Sequence, residues 1–102
     1  MAYVQSYSQI VEAVIPRDAW DETYFSLMSL KAHLQAMPGY QRFSLWARDL
    51  DSGDIRIFAV TNWENLESLE IWLRSRSTVD AVLRAMELPP RSIRTDLAEE
   101  IL

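Results

Sequence analysis

The sequence contains no cysteine and a single histidine, His33. Without cysteine the chain has no disulfides, thiolate nucleophiles, thiolate zinc sites or cysteine-ligated iron–sulfur clusters. A single histidine also excludes a multi-histidine metal site within one chain. We therefore predict no metal site of these kinds. We also expect no cofactor. Glycine is scarce as well, with two in the chain, and the composition is that of an ordered globular domain.

Basic residues and long apolar segments are also few. Ten Lys and Arg against fifteen Asp and Glu give a formal net charge of −5. Nucleic acids and anionic membranes bind basic surfaces, so we expect neither as a partner. No segment reaches the ~20 apolar residues of a membrane span, and no basic segment precedes an apolar one at the start of the chain. We expect a cytoplasmic protein with one domain, residues 1–102.

Strand and helix patterns alternate in the order βαββαβ. Runs of aromatic and β-branched residues predict strands over residues 3–15, 40–50, 55–63 and 91–98. Apolar residues spaced by three and four predict one helix from Asp18 to Pro38 and a second after Asn65, which restarts at Ser77. With consecutive strand pairing and right-handed crossovers, this order predicts an α+β, ferredoxin-like fold with an antiparallel sheet.

The two central strands are predicted to form a hairpin with a two-residue loop, Ser52-Gly53. That loop sets Leu45 opposite Val60 and Trp46 opposite Ala59. One face of the hairpin, which we place under the helices, then carries Ser44, Trp46, Ile55, Ile57, Ala59, Thr61 and Trp63. The other face carries Phe43, Leu45, Ala47, Phe58 and Val60.

Both faces of this hairpin are apolar, but two helices cover only one. An uncovered face with Phe43, Leu45, Phe58 and Val60 is typical of an interface. A second copy of the same sheet would cover it by two-fold symmetry. We therefore predict a homodimer through this face, which closes a dimeric α+β barrel.

The segment Trp63-Glu64-Asn65-Leu66-Glu67-Ser68, running to Trp72-Leu73-Arg74-Ser75, resembles the antibiotic biosynthesis monooxygenase family of dimeric α+β barrels. The resemblance covers roughly residues 9–86. Members of that family include cofactor-free oxygenases of polyketide quinols and anthrones, haem-degrading oxygenases, and many small proteins with no assigned reaction. The polyketide oxygenases of that family have an asparagine where this chain has Ala59 and a tyrosine where it has Leu69. The haem-degrading members have their haem-ligating histidine at Val82, so we predict that haem degradation is absent.

A ligand site is predicted between aromatic walls under the helices. The small residues Ser44, Ala59 and Thr61 are flanked by Trp46 and Trp63, and Trp72 lies on the inward stripe of the second helix. Such an arrangement leaves room for a flat apolar ligand. The alternative is that these tryptophans fill the core.

Three side chains are candidates for chemistry at that site. His33 or Tyr24 would act as the catalytic base, and Arg42, predicted opposite Trp63, would bind a ligand carboxylate or phenolate. Alternatively, His33 and Arg42 are solvated surface residues. Asn62 points by strand alternation to the opposite face, where we expect it to pair across subunits or at the barrel mouth.

Two functions remain open from the sequence. One is a cofactor-independent monooxygenase acting on a small aromatic quinol or phenol. Such an enzyme would deprotonate the substrate, stabilise the anion and exclude water while dioxygen reacts. The alternative is a non-catalytic dimeric domain that binds a small hydrophobic metabolite or has a purely structural role.

Overall fold

The computed structural model describes residues 3–102. Its strands are β1 (Ser6–Ile15), β2 (Tyr40–Asp49), β3 (Ile55–Trp63) and β4 (Ser92–Glu100), and its helices are α1 (Trp20–Leu34), α2 (Leu66–Leu73) and α3 (Val79–Arg84). The strands form one antiparallel sheet in the order β2-β3-β1-β4. The predicted ferredoxin-like βαββαβ fold is confirmed, with the second helical region split into α2 and α3.

Of the helix starts predicted from capping residues, one has the expected side-chain cap and another does not. Asn65 caps α2, because its side-chain oxygen accepts a hydrogen bond from the Ser68 backbone N–H at 2.9 Å. Asp18 does not cap α1. It lies in a short 3-10 turn, Arg17–Ala19, and α1 begins after that turn with no side-chain cap. The helix restart is at Thr78, one residue later than the predicted Ser77.

The helices cover one face of the sheet, and the core lies between the helices and that face. The odd-numbered residues of β1 and β3 point into this layer, as strand alternation requires. Its largest fully buried side chains are Trp63, Trp72, Ile15, Leu27, Leu34, Ile57 and Leu83. We call this side of the sheet the helix face and the opposite side the open face.

The β2–β3 register differs by one residue from the prediction. Leu45 pairs with Ala59 and Trp46 with Phe58. The loop has three residues, not two, because the Leu50 N–H donates to the Asp54 carbonyl at 2.9 Å. Gly53, at a φ of +92°, provides the left-handed residue that ends such a loop.

A shift of one residue turns every side chain of β2 to the other face. Phe43 and Leu45, predicted on the dimer face, lie under the helices, and Phe43 is buried. Trp46 and Ser44, predicted under the helices, lie on the open face instead. The larger apolar side chains at the centre of the open face are therefore Ile10, Trp46, Phe58 and Val60.

Candidate functional site

The region predicted to hold a ligand between tryptophan walls is packed. The Trp63 and Trp72 rings stack with centroids 5.6 Å apart and planes 26° apart, and both side chains are fully buried. The Tyr40 ring meets Trp63 edge-on at 6.1 Å. Aromatic rings in this contact occupy the space that a flat ligand would need.

Hydrogen bonds fix both indoles in that packing. The Trp72 Nε1–H donates to Gln9 Oε1 at 2.7 Å, and the Trp63 Nε1–H donates to Thr61 Oγ1 at 3.0 Å. Gln9, Thr61 and Ala59 are themselves buried. Ala59, Thr61, Trp63 and Trp72 thus lie in the packed core of this protein rather than around a space for a ligand.

An open groove lies beside this core, between α1 and β2. It has a volume of about 330 Å³ and is lined by Trp20, Tyr24, Leu27, Met28, Lys31, Phe43, Leu45 and Ala47. We call it the α1–β2 groove. Its helix residues are spaced by three and four, which puts them on one stripe of α1, and its strand residues alternate along β2. Most of the lining is apolar, and the polar side chains are those of Tyr24 and Lys31.

The groove continues at the Trp20 end into a second space of about 330 Å³. This space shares Trp20 and Ala47 with the groove and adds Arg17, Arg48 and Asp49. Arg17 Nη2 donates to the Asp49 carboxylate at 2.6 Å. The charges at this end are thus partly paired within the chain, and the groove itself is the more apolar of the two spaces.

Apart from the four core residues, the predicted site residues lie in three places. Tyr24 lines the α1–β2 groove. Ser44, Trp46 and Arg42 lie on the open face, and Arg42 pairs with Asn62 rather than Trp63 because the β2–β3 register is shifted by one residue from the prediction. His33 is exposed on α1 and does not line the groove.

Sequence reasoning missed Trp20, Lys31, Phe43 and Leu45 as groove residues. The stripe of α1 contained a signal, since Trp20, Tyr24, Leu27 and Lys31 recur at helical spacing. The strand side depended on the register, which the loop length decides.

One tyrosine near the core has a perturbed acidity. Burial raises the pKa of the Tyr40 hydroxyl above its ordinary value, and a backbone hydrogen bond at Phe43 partly offsets this rise. Tyr40 contacts Trp63 rather than the groove lining. We therefore treat it as a structural residue.

The open face has an apolar centre and a polar end. Trp46 is 66% exposed and Phe58 37% exposed. At the polar end the Asn62 amide Nδ2–H donates to Ser8 Oγ at 2.7 Å and to Ser6 Oγ at 3.3 Å. Asn62 is buried, and its Oδ1 has no donor among residues 3–102.

The side chains of this protein do not match the haem cofactor that the family resemblance raises. Val82, which stands where haem-degrading members have their ligating histidine, has no donor atom in its side chain. His33 is exposed and lies outside the groove lining. These residues do not fit the histidine ligation of haem. Among residues 3–102 no cluster of three or more His, Cys, Asp or Glu side chains could hold a metal ion, and no described helix could span a membrane.

Comparison with known proteins identifies the fold. No family model matches the chain, and no curated protein matches it. A conserved protein from Methanosarcina mazei superposes with a TM-score of 0.72 at 13% identity, over 93% of this chain and 92% of that one. A protein from Nitrosomonas europaea that carries the provisional name antibiotic biosynthesis monooxygenase has a TM-score of 0.70 at 11% identity, over 99% and 95%.

The chain has the fold of the antibiotic biosynthesis monooxygenases. The haem degrader MhuD of Mycobacterium tuberculosis, with two haems bound in its active site, shares this fold. Its TM-score is 0.63 at 20% identity, over 93% of this chain and 96% of that one. Identities this low establish the fold alone, and activity has to be argued from the site.

Proposed function

We propose that this protein is a homodimer that binds a small, flat, apolar molecule in the α1–β2 groove of each subunit. The groove itself carries the proposal. Its volume of about 330 Å³ is at the lower end of the ~300–1,000 Å³ typical of ligand pockets. An apolar lining with few polar groups is also typical of such pockets. The cytoplasmic location expected from the sequence is kept as part of this proposal.

The homodimer is supported by the open face. Trp46 and Phe58 are exposed side by side on paired strands, and Ile10 and Val60 extend the same apolar surface. A second copy of the sheet would cover these residues by two-fold symmetry. It would also cover the polar end of this face, where the buried Asn62 Oδ1 has no donor among residues 3–102 and needs one.

Ligand binding can be tested by blocking the groove. Ala47 lines the groove and is exposed, so Ala47→Phe should fill part of it. Ala32 is an exposed residue of α1 outside the groove lining, and Ala32→Phe is the matched control. We expect Ala47→Phe to weaken binding of a flat aromatic probe such as N-phenyl-1-naphthylamine by at least about tenfold. Equal affinities for both variants and the wild type would exclude the groove as the site.

A second candidate is a cofactor-independent monooxygenase acting on a phenol, quinol or anthrone in the same groove. The phenolic hydroxyl of Tyr24 in the lining favours it, because that group can hydrogen-bond to a substrate oxygen as the substrate loses its proton. With an anthrone, the deprotonated carbon reacts with dioxygen. One oxygen atom stays as the new carbonyl, the other leaves as water, and the substrate supplies the electrons.

Oxygen uptake with a simple anthrone tests this second candidate. We expect Tyr24→Phe to lower turnover at least about tenfold, because general acid–base groups contribute ~10²–10⁴-fold. His33→Ala should leave turnover unchanged, since His33 is exposed outside the groove. If the wild type binds aromatic ligands and consumes no oxygen with quinols or anthrones, the non-catalytic binding function stands alone.

A further inference from the structure

The α1–β2 groove contains the only lysine of the chain. Lys31 is one of ten basic residues, and the other nine are arginines. Its side chain is half-buried and lines the groove with Tyr24 and Phe43. A cation in an otherwise apolar lining restricts which ligands bind well, because its charge must be solvated or paired.

Lys31 has no acidic partner in the described part of the chain. The ion pairs of residues 3–102 all use arginines, namely Arg17, Arg56, Arg74, Arg91 and Arg94. The positions three and four residues away on α1 are Leu27, Met28, Leu34 and Gln35, so no ion pair can form along the helix. The residues of β2 that line the groove are apolar.

This lack of a partner contrasts with the charge balance of the protein. The chain has fifteen acidic residues against ten basic ones. Because acidic side chains are in excess, a lysine without an acidic partner is unexpected. We infer that the Lys31 ammonium is the anion-binding group of the α1–β2 groove, and that the groove selects flat aromatic ligands with a carboxylate, sulfonate or phenolate. This inference rests on the proposed ligand-binding function.

The geometry explains how one residue would set this selectivity. The aromatic body of the ligand contacts the Phe43, Leu45 and Trp20 side chains, and its acidic group faces the Lys31 end of the stripe. Ammonium-to-anion hydrogen bonds are stronger than neutral ones, and a half-buried site screens them less than open water does. A neutral ligand of the same shape makes the apolar contacts, but the Lys31 ammonium is then solvated only by water.

A matched pair of fluorescent probes tests the inference on the intact protein. The anionic probe is 1-anilinonaphthalene-8-sulfonate, and the neutral probe N-phenyl-1-naphthylamine has the same aromatic frame without the sulfonate. Only binding that Ala47→Phe weakens by at least about tenfold is counted as groove binding. The variants are Lys31→Met, which keeps the length without the charge, and Lys31→Arg, which keeps the charge. Arg84→Met is the control, because Arg84 is exposed at the end of α3.

We expect Lys31→Met to weaken the anionic probe about tenfold, as for loss of a charged hydrogen bond. Its affinity for the neutral probe should change less than about twofold, and Lys31→Arg should keep most of the affinity for the anion. The control should match the wild type with both probes. An equal effect of Lys31→Met on both probes, or none on either, would overturn the inference and leave the groove function intact. Failure of the wild type to bind either probe would overturn both.

Chemical labelling gives a second readout at the same residue. Because Lys31 is the only lysine, its acetylation can be followed at a single side chain apart from the α-amino group. The anionic probe should slow acetylation of Lys31 more than the neutral probe does at equal occupancy. Equal protection by both probes would show that the ligand's charge does not contact this ammonium, and would count against the inference.

Discussion

Replacing Trp46 with alanine removes the largest exposed apolar side chain of the open face. A fully covered tryptophan hides roughly 150–250 Å² from water. With 66% of Trp46 still exposed in one chain, roughly 100–165 Å² remains for a partner to cover. At ~25 cal/mol/Å² this area corresponds to about 2.5–4 kcal/mol for each protomer. Both protomers of a symmetric dimer lose it, and alanine retains a small share.

The dimer dissociation constant should therefore rise by at least about a thousandfold, since each ~1.4 kcal/mol is a factor of ten. Sedimentation velocity over a dilution series measures this change. Phe25→Ala is the control, because Phe25 is 74% exposed on α1 and lines neither the open face nor the groove. A Trp46→Ala dimer as tight as the Phe25→Ala dimer would refute the assignment of the open face as the interface.

Three further predictions concern stability. Gly39 has a φ of +76°, and a Cβ atom at this position would clash with the Ser68 side chain. Gly39→Ala should therefore lower the free energy of unfolding by more than the ~1–2 kcal/mol of left-handed backbone strain alone. Gly53→Ala, with open space around it, should cost only that strain; equal losses in urea unfolding would contradict the Ser68 contact. Trp72→Phe should lower the free energy of unfolding by about 2–4 kcal/mol in the same assay, because it leaves the buried Gln9 Oε1 without its donor. A decrease of less than about 1 kcal/mol would contradict this. Because burial raises the folded pKa of Tyr40, the contribution of this residue to stability should be constant below about pH 10 and be lost as the pH rises further. Tyr40→Phe should reduce that loss in the same assay, and an unchanged slope would assign it to other groups.

The fold could be predicted from the sequence because its signals are local. Strand and helix periodicities fixed the order βαββαβ, and the Asn65 cap forms as its residue type predicts. The presence of an apolar sheet face that the helices do not cover was also predicted, and Phe58 and Val60 lie on it as expected.

The site could not be predicted because it depends on a single register. Gly53 permits both a two-residue and a three-residue loop, and the extra residue turned Trp46 outward and Phe43 inward. The α1–β2 groove exists only in the observed register, since Phe43, Leu45 and Ala47 form its strand wall. Tyr24 was predicted as a site residue from its phenolic hydroxyl alone. Lys31 could not be predicted as a groove residue without knowing which side chains of β2 face α1.

The four tryptophans report separately on the parts of this account. Trp20 lines the groove, Trp46 lies on the open face, and Trp63 and Trp72 form the packed core. The most direct measurement is a titration of the indole N–H signals by ¹H–¹⁵N NMR with 1-anilinonaphthalene-8-sulfonate. Ligand binding in the groove predicts that the Trp20 signal shifts while the Trp63 and Trp72 signals stay in place. Shifts at Trp63 and Trp72 with an unchanged Trp20 would place the ligand beneath the helices and contradict the account.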